Sequence, residues 1–467
     1  MDIKKLIDSY FEREDIKTCF VRGLADLIAI PSVAGKAEGE FVFGKETARA
    51  LEYLLEAGKR FGLKTENHDW YCGSIVMEGK SGEEIGIIGH LDVVPAFGEW
   101  EFPKYALTVK DGLLIGRGVR DDKGPVAAAM AAMCFFLDSG IKLPFSVRLL
   151  LGCCEECGMD DLPHYLSLGK PVPRFSFTPD SSFPVCRAEK GIASFDVVFD
   201  SFGKDILSFK GGNVSNAVAD SAEMVLSAGA DAAPCLTEPG ISVSSAGGKL
   251  CVKAAGISSH AATPEGSVNA IVKLAEYVLK TGLVSDSASR NVLEYIIASN
   301  QDTAGTGLGI ACSDELTGAL TCICGMGRTE ENRFILNHNV RYPVGKDFET
   351  ELLPEIKKVC AGFGAKVVPG ENSKGYAFPP DAPEIAALSS AFSEITGIAA
   401  EPYTMGGGTY ARAFPNTVAF GAALSEDVSP LGAMRGGAHQ NDECIPLDEL
   451  LTAAKVFALA LAHLAGM

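Results

Sequence analysis

The stretch IGIIGHLDVVP (residues 85–95) runs as an apolar segment straight into a histidine and an aspartate two positions apart. A continuous apolar run of this length, ended by turn-forming residues, reads as a strand buried on both faces, the kind found inside a parallel sheet. Alternate residues of an extended chain face the same way, so His90 and Asp92 leave its carboxyl end together. There Asp92 can accept a hydrogen bond from the imidazole nitrogen that a metal would not use, fixing the tautomer. The pattern continues downstream: GPVAAAMAAMCFFLDSG (124–140) reads as a helix, FSVRLLLGCC (145–154) as a second apolar strand and RFSFTPD (174–180) as a third. Strands alternating with helices predict an α/β/α domain around a largely parallel sheet.

Ligands of such sheets bind at the carboxyl ends of the strands. The first strand ends in His90 and Asp92; GRGVRDDKG (116–124) puts Asp121 just before a helix; the next strands end in Glu155 with Glu156 and in Asp180. GGAHQNDE (436–443) adds His439 from the far end of the chain. Oxygen and imidazole donors without thiolate suit zinc, manganese or cobalt, and five or six of them are too many for one tetrahedral ion. Two divalent metal ions sharing a carboxylate would use them all.

Between these two parts the pattern changes. Segments such as IASFDVVFDS, KLCVKAAGIS and LTCICGMGRTEENRFILNHNVRYPV read as strands of a separate sheet, interleaved with helices. The expected organisation is a catalytic domain made of residues 1–190 and 383–467, with an α+β lid domain inserted at 191–382. A chain of 467 residues is long enough for two cores. Its apolar runs are too short to cross a bilayer and no secretory leader is recognisable, so no membrane role and a cytoplasmic location are expected. A formal charge of −19 argues against nucleic acid as a partner. Fourteen scattered cysteines fit reduced thiols, and a zinc knot of Cys154, Cys157, Cys322 and Cys324 would match no standard spacing.

Taken together, GHLDVVP, GRGVRDDKGP, CCEECG, FTPDSSFP, GISSHAATPEGSVNAI, NVRYP, GGGTYAR and GGAHQNDE resemble the dinuclear-metal peptidases that include aminoacylase, carboxypeptidase G and, most closely, the PepV-like bacterial dipeptidases. The resemblance implies one metal on His90 and Asp180, another on Glu156 and His439, and Asp121 bridging both. It implies Glu155 as general base for a metal-bridging water, with Asp92 orienting His90. From the insert it implies His260 as electrophile to the oxyanion and Asn216 as a second donor, which requires the insert to cover the metal centre. Arg341 matches the position that clasps the substrate's terminal carboxylate, and Gly406, Gly407, Gly408 and Thr409 could add backbone donors.

The expected activity is hydrolysis of dipeptides or short peptides with a free C-terminus, by a monomer. An N-acyl-amino-acid deacylase on the same scaffold is the alternative; a non-catalytic metal-binding protein would have no use for the spare carboxylate of Glu155, and no Gly-Lys-Ser/Thr follows the glycine loop to support a nucleotide-dependent enzyme. Cys154 and Cys157 depart from the small, amide or hydroxyl residues that usually flank the acid pair. From the sequence they predict partial, reversible loss of activity under mild oxidant.

Overall fold

The computed structural model describes residues 2–227, 236–424, 429–432 and 435–467. They divide into two compact units, one of Met1–Arg187, Phe378–Tyr403 and Thr409–Met467, the other of Ala188–Ala377 and Thr404–Gly408. The glycine loop 404–408, read from sequence as part of the catalytic domain, thus clusters with the second unit.

The first unit is built on a mixed sheet with strand order Lys64–His68, Cys72–Met77, Ser146–Gly152, Glu84–His90, Phe175–Thr178, Thr417–Phe420, Val185–Glu189. The three central pairings are parallel and the flanking ones antiparallel. Every residue of Ser146–Gly152 is buried, which is why that strand is apolar without alternation. Its one cation, Arg148, is met by Glu84 on the neighbouring strand through two hydrogen bonds of 2.7 and 2.8 Å. Helix Leu447–Leu464 packs against helices Lys123–Asp138 and Pro383–Thr396. Phe457 reaches from it into a cluster with Phe177, Phe183 and Phe420. Burying each such ring contributes roughly 1.5–3 kcal/mol. The last helix of the chain is therefore integral to the core of a domain that begins at its other end.

The second unit is an eight-stranded, wholly antiparallel sheet, ordered Ile241–Ala246, Lys249–Ala255, Ser221–Ser227, Ile206–Gly211, Thr321–Glu330, Arg333–Tyr342, Gly191–Phe199, Lys366–Ser373. Lys249–Ala255 and Ser221–Ser227 alternate buried and open positions, the signature of a sheet covered on one face. Helices Ala270–Lys280, Ser287–Ser299 and Leu353–Gly362 contribute to the shared apolar core. Asn269 caps the first of these by accepting from the Ile271 N–H and ties it to the sheet by donating to the Cys324 carbonyl. Among the described residues no helix is long and apolar enough to cross a membrane.

Cys154 and Cys157 are joined by a disulfide, which departs from the expectation of reduced thiols throughout and removes both from any thiolate zinc site. Cys322 and Cys324 lie buried in the core of the second unit.

One glycine lets the chain pass close to the future site. A Cβ on Gly89 would stand 2.6 Å from Asp122 Oδ2, the oxygen that accepts the His90 N–H at 3.1 Å. Gly89→Ala is expected to push Asp122 and His90 apart and to lower stability by about 1–3 kcal/mol, read from the urea midpoint.

Candidate metal centre

The parallel register pairs His90 with Gly152, so the residues that follow each strand end, 91–92 and 153–156, leave the sheet side by side. Four consecutive backbone N–H groups of the second segment are then taken by two buried carboxylates. Cys153 and Cys154 donate to Asp161 Oδ2 at 2.7 and 2.9 Å. Glu155 and Glu156 donate to Asp92 Oδ1 and Oδ2 at 3.1 and 3.0 Å. Tyr410 adds a 2.5 Å hydrogen bond to Asp161, whose pKa burial nevertheless raises to about 6. Asp92 therefore does more than orient an imidazole: both of its oxygens hold the turn that presents the acid pair. His90 Nδ1 lies 2.9 Å from the Asp92 main-chain carbonyl and 3.4 Å from its carboxylate.

Asp121 is positioned from the other end of the chain. Glu443 is fully buried; its Oε1 accepts from the N–H groups of Gly118, Arg120 and Asp121 at 3.1, 2.9 and 3.1 Å. Its Oε2 meets Arg117 Nη1 at 2.5 Å, and Arg117 Nη2 donates to the His439 carbonyl at 3.4 Å. One carboxylate thus shapes the Asp121 loop and, through Arg117, the His439 segment. Lys123, at the start of the following helix, is buried too, donating to the carbonyls of Leu27 and Ile30.

The side chains presented in this way converge. Asp121 turns one oxygen to His90 Nε2 at 3.0 Å and the other to His439 Nε2 at 2.9 Å. His439 Nε2 is also 2.8 Å from Glu156 Oε1, and His90 Nε2 is 3.7 Å from Asp180 Oδ2. Ligand atoms of His90, Asp121 and Glu156 lie within 4.8 Å of one another, as do those of His90, Glu155 and Asp180. Two ligands of a tetrahedral zinc ion stand roughly 3.3 Å apart. The spacing on either side of Asp121 is of that order.

Charge points the same way. Four carboxylates, Asp121, Glu155, Glu156 and Asp180, share this rim with two imidazoles. Burial, then repulsion from Asp180, Glu156 and Asp121, pushes Glu155 well above the ordinary carboxyl range. Burial and Asp121 raise Asp180 to about 7. Burial works against the charged imidazoles, yet the carboxylates prevail, raising His90 far and His439 to about 11. Asp121, despite burial, is held low by its hydrogen bonds to His439 and His90. Such a cluster calls for further positive charge, and its hard oxygen and imidazole donors fit divalent cations such as zinc, manganese or cobalt.

In the second unit Asn216 and His260 lie together: Ala261 N–H donates to the Asn216 carbonyl at 2.8 Å, and Ala217 bridges His260. His260 Nδ1 accepts from the Ala262 N–H at 3.3 Å, so the neutral ring carries its proton on Nε2. Arg341 is buried, donating to Asn339 Oδ1 at 2.9 Å and to the Gly406 carbonyl at 3.0 Å, which brings the expected carboxylate clasp and the glycine loop to one place. Gly407 and Gly408 belong to that loop. Thr409 falls in the first unit, where it caps the short helix Tyr410–Ala413 through a 3.1 Å hydrogen bond from the Ala411 N–H.

An α/β sheet whose carboxyl edge gathers acids and imidazoles around one shared aspartate defines a candidate metallohydrolase. The model for peptidase family M20/M25/M40 matches residues 86–463. A putative dipeptidase, YtjP, of Bacillus subtilis is 31% identical over 91% of this chain and 92% of its own length. A putative dipeptidase of Staphylococcus saprophyticus is 29% identical over 97% of this chain and 98% of its own. Human carnosine dipeptidase 1 superposes with a TM-score of 0.61 at 18% identity, covering 100% of this chain and 99% of its own, and the Saccharomyces cerevisiae dipeptidase Dug1p with 0.60 at 14%, covering 100% and 98%. The chain belongs to peptidase family M20/M25/M40.

Sequence reasoning did not single out Glu443, Arg117, Asp161 or Tyr410. Glu443 and Arg117 stood inside quoted motifs, and their burial was the missing signal. Glu443→Ala would leave Arg117 buried and unpaired, with an expected cost of roughly 3–5 kcal/mol in urea unfolding.

Because the rim acids raise the proton affinity of both imidazoles, metal competes with protons for their nitrogens. Uptake is expected to release protons, and affinity is expected to fall as pH is lowered; calorimetry in buffers of different ionisation heat measures both.

Proposed function

We propose that this protein is a metal-dependent dipeptidase, hydrolysing the peptide bond of dipeptides or short peptides with a free C-terminus. The observation that carries the reading is Asp121, whose two carboxylate oxygens each face a different histidine while Glu155 stands alongside. His90 and Asp180 would hold one cation, Glu156 and His439 the other, with Asp121 shared; zinc is the first choice, manganese or cobalt the alternatives. When bound, such cations would polarise the scissile carbonyl and lower the pKa of the attacking water.

Glu155 would take a proton from the attacking water and return it to the leaving amine. It is suited to this because burial, and then the neighbouring carboxylates, raise its proton affinity. Asp92 keeps it aimed by fixing its backbone N–H. His260, with its proton on Nε2, and Asn216 donate to the oxyanion. Arg341 supplies the planar fork for the substrate's C-terminal carboxylate, assisted by Gly407, Gly408 and Thr409. The full-length likeness to relatives named putative dipeptidases supports peptide over N-acyl-amino-acid substrates. A cytoplasmic monomer is the matching assignment.

Glu155→Gln is expected to lower kcat by about 10²–10⁴-fold with metal content unchanged, measured on a dipeptide panel alongside elemental analysis. Full turnover by a metal-loaded Glu155→Gln chain would overturn the role of the base. Arg341→Lys keeps the charge but loses the fork, so KM is expected to rise about tenfold or more with a smaller change in kcat. Turnover confined to N-acetyl amino acids would move the assignment to a deacylase.

A further inference from the structure

The turn that carries the acid pair is closed by a covalent bond. Cys154 and Cys157 flank Glu155 and Glu156, with sulfurs joined and Cα atoms 5.2 Å apart, inside the roughly 4.4–6.8 Å that a disulfide spans. Cys154 is buried, whereas Cys157 lies at the surface. The segment between them has no helix or strand to stiffen it. Upstream it is anchored through the Glu155 and Glu156 N–H groups on Asp92. Downstream, the Met159 N–H on the Cys154 carbonyl, at 2.7 Å, closes the same turn. In this bonded state Glu156 Oε1 stands 2.8 Å from His439 Nε2, so disulfide closure and an assembled rim coexist.

We propose that Cys154 and Cys157 are a reversible redox clasp on the metal centre: the bonded pair holds Glu156 toward His439, and reduction frees the turn so that the cation shared by those two residues leaves faster. The proposal rests on the reading of Glu156 and His439 as metal ligands. It reverses the direction expected from the sequence, because the oxidised turn is the one that holds the acids in place. The chemistry is thiol–disulfide exchange with a small disulfide such as oxidised glutathione. The exposed Cys157 thiolate attacks it, releasing one glutathione thiol and leaving a mixed disulfide. Cys154 then displaces the second glutathione from Cys157. Two protein thiols have lost two electrons and two protons, and one small disulfide has become two thiols. A dithiol reverses the sequence by attacking Cys157 and expelling Cys154.

The test uses the full chain loaded with zinc, poised either with oxidised glutathione or with a phosphine reductant and then freed of both. Alkylation followed by peptide mass analysis reads the state of the pair. Transfer of zinc to a chromophoric chelator reads retention. The expected result is release in two phases, one of them about tenfold faster in the reduced protein, as befits loss of support behind a ligand. Cys157→Ser, at an exposed position, is expected to show the fast phase under both conditions. Release that is equal in the two states, or faster in the oxidised one, overturns the clasp, as does a pair that alkylates fully after exposure to oxidised glutathione. Dipeptide turnover on the same samples separates the two claims: redox-dependent release without turnover removes the peptidase reading alone, and turnover with redox-independent release removes the clasp alone.

Discussion

The buried contact between Glu443 and Arg117 is the constraint on which the centre depends. A carboxylate enclosed in the interior is stable only with its lone pairs occupied, and Glu443 occupies them with the loop N–H groups of Gly118, Arg120 and Asp121 and one guanidinium. In doing so it dictates the path of the backbone at Asp121. Arg117, stacked over Trp100, passes the constraint to the His439 carbonyl. His439 adopts a positive φ of 63°, a conformation that a non-glycine residue keeps only when its surroundings impose it. Asp161 serves the Glu155 turn in the same manner. His90, Asp121, Glu155 and Glu156 thus stand on a backbone whose N–H groups are claimed by a buried acid.

This arrangement explains how so many carboxylates tolerate one another. Asp92, Asp161 and Glu443, behind the rim, are satisfied by N–H groups, a guanidinium or a hydroxyl. Those on the rim face His90 and His439, and burial together with their mutual repulsion displaces the proton affinities of Glu155 and Asp180 upward. The division separates residues that shape the site from residues that would act in it. Close approach of the backbone completes the device: Gly89 and Gly152 lack the side chains that would collide with Asp122 and with Asp161.

Much of this was legible in the sequence because the signals were local. Apolar strands ending in acids or a histidine, and a Gly-Pro helix start, are written within ten or twenty residues, and with them came the α/β fold and the convergence of His90, Asp121, Glu156, Asp180 and His439 on one rim. The supporting layer was not legible. Nothing in the letters distinguishes Glu443, entirely enclosed, from the many surface glutamates of an acidic chain, and Asp161 gives no hint that it binds N–H groups seven and eight positions earlier. The pairing of Arg341 with the Gly406 carbonyl spans 65 positions and has no local trace. The reading of Cys154 and Cys157 as reduced thiols failed for a related reason, since composition argues about a whole chain and the bond depends on one turn.

Building one rim from both ends of the polypeptide has a consequence for synthesis. Arg117 and the His439 carbonyl are separated by 322 positions, so at about 5–20 residues per second the ribosome needs roughly 15–60 s between making the first half of the rim and supplying its remaining imidazole. Through that interval His90, Asp121 and Asp180 exist on a nascent chain lacking Glu443 to order their loop and the closing helix Leu447–Leu464 to seal the core beneath it. The whole of the second unit is meanwhile translated, with a self-contained apolar core of its own. The first unit is accordingly completed after the second.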